Sequence, residues 1–500
     1  MPPRKTLQTE APLKLVGQLL LVILGAILFL RASDYAGYAL FLFVIYTLNQ
    51  KKVEFSFFAL MLLISFAIMN PVFFEKGRAF YMATRLSLLF LAVGMGIKAG
   101  KQRASFLAPF TILFAFMGCI MVTSLWGWAP VISEMKAVLF IVFMLALIKG
   151  VSAVVQRGVD IRFIRAGMLA ISCFFILGSV AVIPFPSIGR SMYLAKLARW
   201  NIDASTRDLQ GLFNGATWHS QTLGPLLAML NAFLLSDYLC NFRQKNWLYR
   251  TLIACIPVLV YMTSSRTAFF AYLISIFSVV FFFRGEHQVA GSKRRRVVTI
   301  SILFALLGTL ILSFIPAVSL RLEAFLRKER DVAQMSGDEL LSDQLFASRK
   351  GLMESAFVNF KDRPLVGHGF QVSEAMQAYS ISEYGLIFSA PVEKGVLATM
   401  VLEEGGLIGA VIFLVFLIAL YFTYRRLAFT CFLSTFTVFL GLNSGEAAFF
   451  STSGGGGILW MICFCAMLMD IHRHRLRLAE IAQRREQIGR VSAQYALADA

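Results

Sequence analysis

Apolar runs separated by short polar clusters fill this chain. They lie near residues 15–30, 35–49, 55–70, 80–97, 106–125, 132–148, 163–183, 218–239, 248–263, 267–283, 297–316, 396–420, 427–442 and 456–470. None alternates apolar and polar positions with a period of two, and Gly and Leu recur inside them. The pattern therefore predicts α-helices and not the strands of a membrane barrel. A helix of about 20 residues crosses the roughly 30 Å hydrocarbon layer of a bilayer and satisfies its own backbone groups there. The expected fold is an all-α polytopic membrane protein with about fourteen transmembrane helices. The first run is long for a cleaved signal and further spans follow it, so it reads as a retained first helix.

Composition agrees with that reading. The chain of 500 residues is 58% hydrophobic and 15% charged, with a mean hydropathy of +0.72 and 48 Phe. A net charge of +19 would suit a nucleic-acid partner, but the positive residues stand in short clusters between the apolar runs. With the N-terminus in the cytoplasm, the inside segments are Lys51–Lys52, Lys98–Arg103, Lys149–Arg165, Arg243–Arg250, Arg284–Arg296, Arg425–Arg426 and the tail from Arg473. Together with the N-terminus they hold about 28 of the 47 Lys and Arg, as the positive-inside rule requires. The basic run at 293–296 is then a topology anchor, no nucleic acid is expected as a partner, and both termini are cytoplasmic. Six of the seven cysteines lie in apolar runs as small hydrophobes, and no metal-ligand or disulfide spacing is present.

The opposite side carries two long segments, near 184–217 and 317–395. Connections of that length are usually functional. The larger one has helical spacing over 343–360 (Leu345, Leu352, Ala356, Phe360), a stop at Pro364 and a turn at Gly367 and Gly369. It is expected to be partly helical and to lie over the outer membrane face. The chain thus divides into N-terminal helices over 1–183, a helical region with the first outer segment over 184–316, the large loop over 317–395, C-terminal helices over 396–470 and a basic tail over 471–500.

Candidate chemistry gathers on that outer side. Arg266 sits between two apolar runs with almost no loop, where a charge costs free energy unless it reaches the interface or meets a partner or ligand. Ser264 and Ser265 can cap the helix that follows, and a helix N-terminus with a guanidinium suits a phosphate. Arg207 precedes a segment loosened by Gly211 and Gly215, with His219 at the start of the next span; it fits either a substrate contact or a satisfied interfacial histidine. Arg349 and His368 belong to the large loop. Glu393 precedes a span that Glu403 and Glu404 then enter, and those two acids call for a partner such as an arginine of another outer segment. The glycines at 454–457 lack the lysine and strand of a phosphate loop and read as a hinge. No metal cluster, Walker motif or nucleophile elbow is present. The residues alone describe an outward-facing cationic site suited to an anionic lipid phosphate.

Four stretches resemble the O-antigen ligase and O-antigen polymerase superfamily. They are `RDLQGLFNGATWHSQTLG` at 207–224, `TSSRTAFFAYL` at 263–273, `SRKGLMESAFVNFKDRPLVGHGF` at 348–370 and `VLEEGGLIGAVIF` at 401–413. Their order, and the one large outer loop before the third-last span, are similar to that family. The resemblance covers roughly residues 200–415. It implies glycosyl transfer at the periplasmic face of the bacterial inner membrane, with a polyprenyl-diphosphate-linked glycan as donor, a glycan or lipid as acceptor, membrane lipids around the protein, and no cofactor or metal. It implies catalytic roles for Arg207 and Arg266 in holding the diphosphate. His219, Arg349, His368, Glu403 and Glu404 are expected to bind substrate. Ligases of the family carry a His-Asn pair where this chain has Gly395 and Val396. Glu393 is therefore the candidate general base, with His368 as an alternative, and a polymerase or exopolysaccharide branch is favoured. A transporter or flippase of an anionic lipid-linked glycan is the competing reading.

Overall fold

The computed structural model describes residues 13–32, 35–50, 52–70, 72–73, 78–99, 105–157, 161–185, 188, 212–240, 247–283, 341–374, 396–446, 448–452 and 455–498, with backbone alone at 78–79, 81, 105, 341–349 and 490–498. Those residues are helical almost throughout. In chain order the helices are α1 (Leu13–Ala32), α2 (Ala36–Asn49), α3 (Val53–Ile68), α4 (Arg78–Ala99), α5 (Pro109–Ser124), α6 (Pro130–Gln156), α7 (Ile161–Ala181), α8 (Ser220–Cys240), α9 (Trp247–Met262), α10 (Arg266–Phe283), α11 (Leu341–Asp362), α12 (Leu397–Arg426), α13 (Thr430–Leu442) and α14 (Gly455–Ala498). All the expected spans but one coincide with an apolar helix; the span expected at 297–316 lies outside the described residues. Among the described residues, eight helices are long and apolar enough to cross a membrane, and five apolar helices are shorter. The amphipathic segment expected at 343–360 is α11, which stops two residues before Pro364 because proline lacks the amide a further turn needs and disfavours helix at the residue before it.

Burial separates central from peripheral helices. α7, α8 and the apolar part of α14 have most of their residues buried, whereas α1, α4, α10 and α12 bury about a third or fewer of theirs. α12 shows why. Leu407, Val411, Leu414, Ile418 and Phe422 form an exposed stripe, while Phe413, Phe416, Leu420 and Tyr424 turn inward. Both faces are apolar, so the exposed one matches lipid rather than water. Aromatic contacts knit the interior. Trp460 of α14 packs edge-on to Phe439 and Phe449 at 5.0 and 4.9 Å, and its indole N–H donates to the Phe449 carbonyl at 2.6 Å.

The ends of the helices collect into two groups. At one, which we call the basic end, Arg165 of α7 meets Asp237 of α8 and Tyr249 of α9, while Arg473 of α14 meets Asp470 and Thr430. At the other, the loop end, the α5–α6 connection, the start of α8, the turn before α10 and the segment after α11 come together.

Candidate functional site

The loop end is organised around a break in α12. Gly406 has φ 60° and ψ −163°, outside the helical region. A continuous helix would bond Leu407 N–H to the Glu403 carbonyl and Ile408 N–H to the Glu404 carbonyl. Here the segment after α11 takes both places. Leu407 and Ile408 donate to the carbonyls of Pro364 and Leu365 at 2.7 and 3.2 Å. His368 and Gly369 donate to the carbonyls of Glu403 and Glu404 at 2.9 and 3.1 Å. Four bonds across two chain segments replace two bonds within one, and no backbone group is stranded at the break. Glycine is required on both sides of the crossing. A Cβ on Gly406 would lie 2.3 Å from the Leu365 carbonyl carbon, and one on Gly367, itself at φ +68°, 2.5 Å from the Glu404 carbonyl.

The two acids of α12 serve this crossing. Glu404 is fully buried and accepts the Gln371 backbone N–H at 2.8 Å; Glu403 accepts the Asn359 side-chain amide at 3.0 Å. These are partners the sequence did not suggest: a backbone amide and an asparagine. Gln371 is held on every side. Its carbonyl accepts from buried Lys136 of α6 at 3.0 Å, and its side chain donates to the Phe450 carbonyl at 2.8 Å. Lys136 belongs to none of the motif stretches and lies inside the apolar run 132–148. The signal that marks it is a single lysine one and a half turns into that run.

His368 is buried with its ring stacked on Trp128 at 3.9 Å, and its carbonyl accepts the Trp128 N–H at 3.2 Å. Its Nε2 lies 2.9 Å from the Asn359 carbonyl, which requires the proton on Nε2 in the neutral ring, and 3.6 Å from the Asp362 carboxylate. Burial pushes its pKa below the usual imidazole value; the Asn359 carbonyl opposes this, Arg363 adds to it, and Asp362 and Glu403 oppose it. Arg363 also donates to the Trp126 carbonyl, pinning α11 to the α5–α6 connection.

A second group of residues surrounds Arg266, the first residue of α10. Ser265 caps this helix, its hydroxyl accepting the Ala268 N–H at 3.3 Å. Ser264, with φ 51°, makes the turn out of α9. The start of α8 lies against it: a Cβ on Gly224 would sit 2.6 Å from Ala268. His219 immediately precedes α8, and its Nδ1 accepts the Gln221 N–H at 3.0 Å. The segment 212–219 is itself held in place, because Asn70 donates to the Gly215 carbonyl at 3.0 Å and Ser179 accepts the Ala216 N–H at 3.0 Å.

The α13–α14 connection joins the two groups. Asn443 accepts the Leu397 N–H at 2.9 Å through its backbone and the Phe449 N–H at 2.7 Å through its side chain. Next to it, a Cβ on Gly445 would lie 2.5 Å from the Thr267 hydroxyl of α10, while Phe450 faces Gln371. α14 starts at Gly455, beside Thr222 of α8. The helices α8, α10 and α14 thus begin at one place, with Arg266 on the first turn of the middle one. Among the expected site residues, Arg266, His219, His368, Glu403 and Glu404 are gathered at the loop end. Arg207 and Glu393 lie outside the described residues, and Arg349 is described only as backbone within α11. Among the described residues no group of three or more His, Cys, Asp or Glu is disposed to hold a metal ion.

A bundle with lipid-matched outer faces and a broken helix satisfied by a crossing loop defines a polytopic helical membrane protein. Residues 250–414 match the family model described as O-antigen ligase, roughly a third of the chain. This match supports the O-antigen ligase/polymerase superfamily and a membrane function of that general type. It takes in Arg266, α11, the crossing and the break in α12; Arg207, His219, Lys136 and Asn443 fall outside it. Among curated proteins, none matches the chain.

Proposed function

We propose that this protein is a glycosyltransferase of the bacterial inner membrane that transfers or polymerises glycan from a polyprenyl-diphosphate carrier, at the periplasmic face, in O-antigen or exopolysaccharide synthesis. The observation that carries this reading is the position of Arg266 on the first turn of α10, where three helices begin. A guanidinium there adds to the positive end of the helix dipole and forms paired bonds to phosphate oxygens. As the acceptor hydroxyl attacks the anomeric carbon, the bond to the diphosphate breaks and negative charge grows on the leaving group. Fixed cations stabilise that state more than the ground state. Arg266 and Arg207 take this role, with Arg349 as a further contact, and Glu393 accepts the proton of the acceptor hydroxyl. His219, His368, Glu403 and Glu404 shape the substrate-binding surface by holding the backbone around it. The concentration of arginine and lysine at the opposite end supports the orientation, since positive connections stay in the cytoplasm.

The test is deletion of the gene, followed by gel analysis of lipid-linked and surface glycans. Single repeat units accumulating on the carrier identify a polymerase, and full-length chains left on the carrier identify a ligase. Repeat units trapped on the cytoplasmic leaflet would reject both and identify a flippase. Arg266→Ala at normal protein level should lose about 100- to 1,000-fold in rate, the usual cost of removing one group that stabilises charge in the transition state. An unchanged product pattern would remove Arg266 from the site.

A further inference from the structure

The basic end holds a pair of thiols that neither the family match nor the proposed reaction uses. Cys240 ends α8 and Cys431 stands in the first turn of α13, and both are free. Their sulfurs are 3.9 Å apart although 191 positions separate them in sequence. Cys431 is buried and Cys240 is half-buried, so one sulfur is reachable and the other lies behind it. The Arg473 guanidinium donates to both sulfurs and to the Thr430 hydroxyl at 3.1 Å. Asp470 fixes that guanidinium and also accepts the Cys431 and Phe432 N–H groups at 3.3 and 2.8 Å. The remaining cysteines lie in other helices or, as Cys463 and Cys465, in the enclosed part of α14.

We propose that Cys240 and Cys431 form a redox modification site that closes to a disulfide by exchange with a small disulfide such as oxidised glutathione. The geometry divides the labour. Cys240, the reachable sulfur, attacks the oxidant as thiolate, forming a mixed disulfide and releasing one glutathione. Cys431 then attacks the Cys240 sulfur and releases the second. Two protein S–H bonds are lost, one S–S bond forms, and the two electrons and two protons leave as two glutathione thiols. The Arg473 guanidinium, bonded to both sulfurs, stands where negative charge develops as each sulfur attacks. Closing the gap to bonding distance requires the ends of α8 and α13 to approach by about 2 Å.

The bridge would act on more than the basic end. Among the described residues α8 and α13 are the helices that pack most extensively against α10, and at the loop end Gly224 and Gly445 approach the first turn that carries Arg266. A covalent tie between α8 and α13 therefore clamps α10 from both sides. A cross-link closing so long a stretch of chain also restrains the unfolded state strongly.

The test uses the full-length protein in native membranes, incubated with oxidised glutathione, blocked with a thiol reagent and analysed by peptide mass spectrometry. A Cys240–Cys431 peptide, with a raised Tm that reductant reverses, is the expected result. Cys431→Ser should stop the reaction at a glutathione adduct on Cys240. Cys240→Ser should leave Cys431 unmodified, and Cys255→Ser should change nothing. A wild-type protein that keeps the Cys240 adduct with Cys431 free, or that reacts at neither sulfur, would overturn the proposal. The readout is covalent, so it stands apart from any outcome on glycan transfer.

Discussion

The two ends of the bundle bury polar groups in opposite ways. At the basic end, charged side chains neutralise one another. Arg165 and Asp237 are almost fully buried, 2.7 Å apart, and Tyr249 bonds to both, so α7, α8 and α9 meet on a closed set of partners. At the loop end, side chains and a crossing segment satisfy backbone instead. Glu404 and Lys136 bond to the backbone of Gln371, His219 caps α8, and the break in α12 takes its hydrogen bonds from residues 364–369. The first arrangement holds helices against one another. The second permits irregular backbone to exist at the mouth of a helical bundle, which is what a site for a polar substrate requires.

The largest expected difference lies at the crossing. Gly406→Ala places a Cβ 2.3 Å from the Leu365 carbonyl carbon at a φ of 60°, and should cost at least about 3 kcal/mol through strain and the four bonds it disrupts. Gly409→Ala, one turn on, meets only ordinary contacts with Phe116 and should stay within about 1 kcal/mol. Thermal denaturation in detergent separates the two; equal midpoints would mean that the crossing does not hold the loop end.

The basic end should respond differently. Asp237→Leu alone leaves Arg165 buried without its carboxylate and should cost about 3–5 kcal/mol. Adding Arg165→Met should recover a large part of this, because the end is held by mutual neutralisation and an apolar pair can replace it. A double variant as unstable as the single would show that the backbone there depends on these charges as well, and would erase the contrast between the ends.

Smaller effects test individual parts of the loop end. Ser265→Ala removes the cap of α10 and should cost about 1 kcal/mol, read by the same denaturation series. His368 gives a pH signature. Its folded pKa is below the usual value near 6.5, so the unfolded chain binds the extra proton first. The stability that buried neutral His368 contributes is therefore complete above about pH 6.5 and falls as the pH drops below it. His368→Gln should flatten that slope in limited-proteolysis midpoints taken across the range. A slope unchanged by the substitution would assign it to other groups.

How much of this was legible in the sequence depends on the range of the interaction. Apolar runs located thirteen of the helices because lipid-crossing segments are selected by composition over about 20 residues. Local signals also located the end of α11 at Pro364 and the capping serine of α10. The motif stretches pointed to His368 and to Glu403 and Glu404, but not to what those residues touch. Glu404 finds a backbone amide 33 positions away and Lys136 a carbonyl 235 positions away, distances over which no local pattern carries information. Asn443 was missed for the same reason, since an asparagine near the end of a span is unremarkable until three segments are seen to meet on it.

By itself, then, the sequence determined a helical membrane protein with a sided distribution of charge, because hydrophobicity and helix length are properties of short windows. The tertiary structure alone decided which polar residues share an end and which backbone groups they serve. A broken helix in an apolar bundle has to find its hydrogen bonds elsewhere in the chain, and only the folded arrangement shows that residues 364–369 supply them.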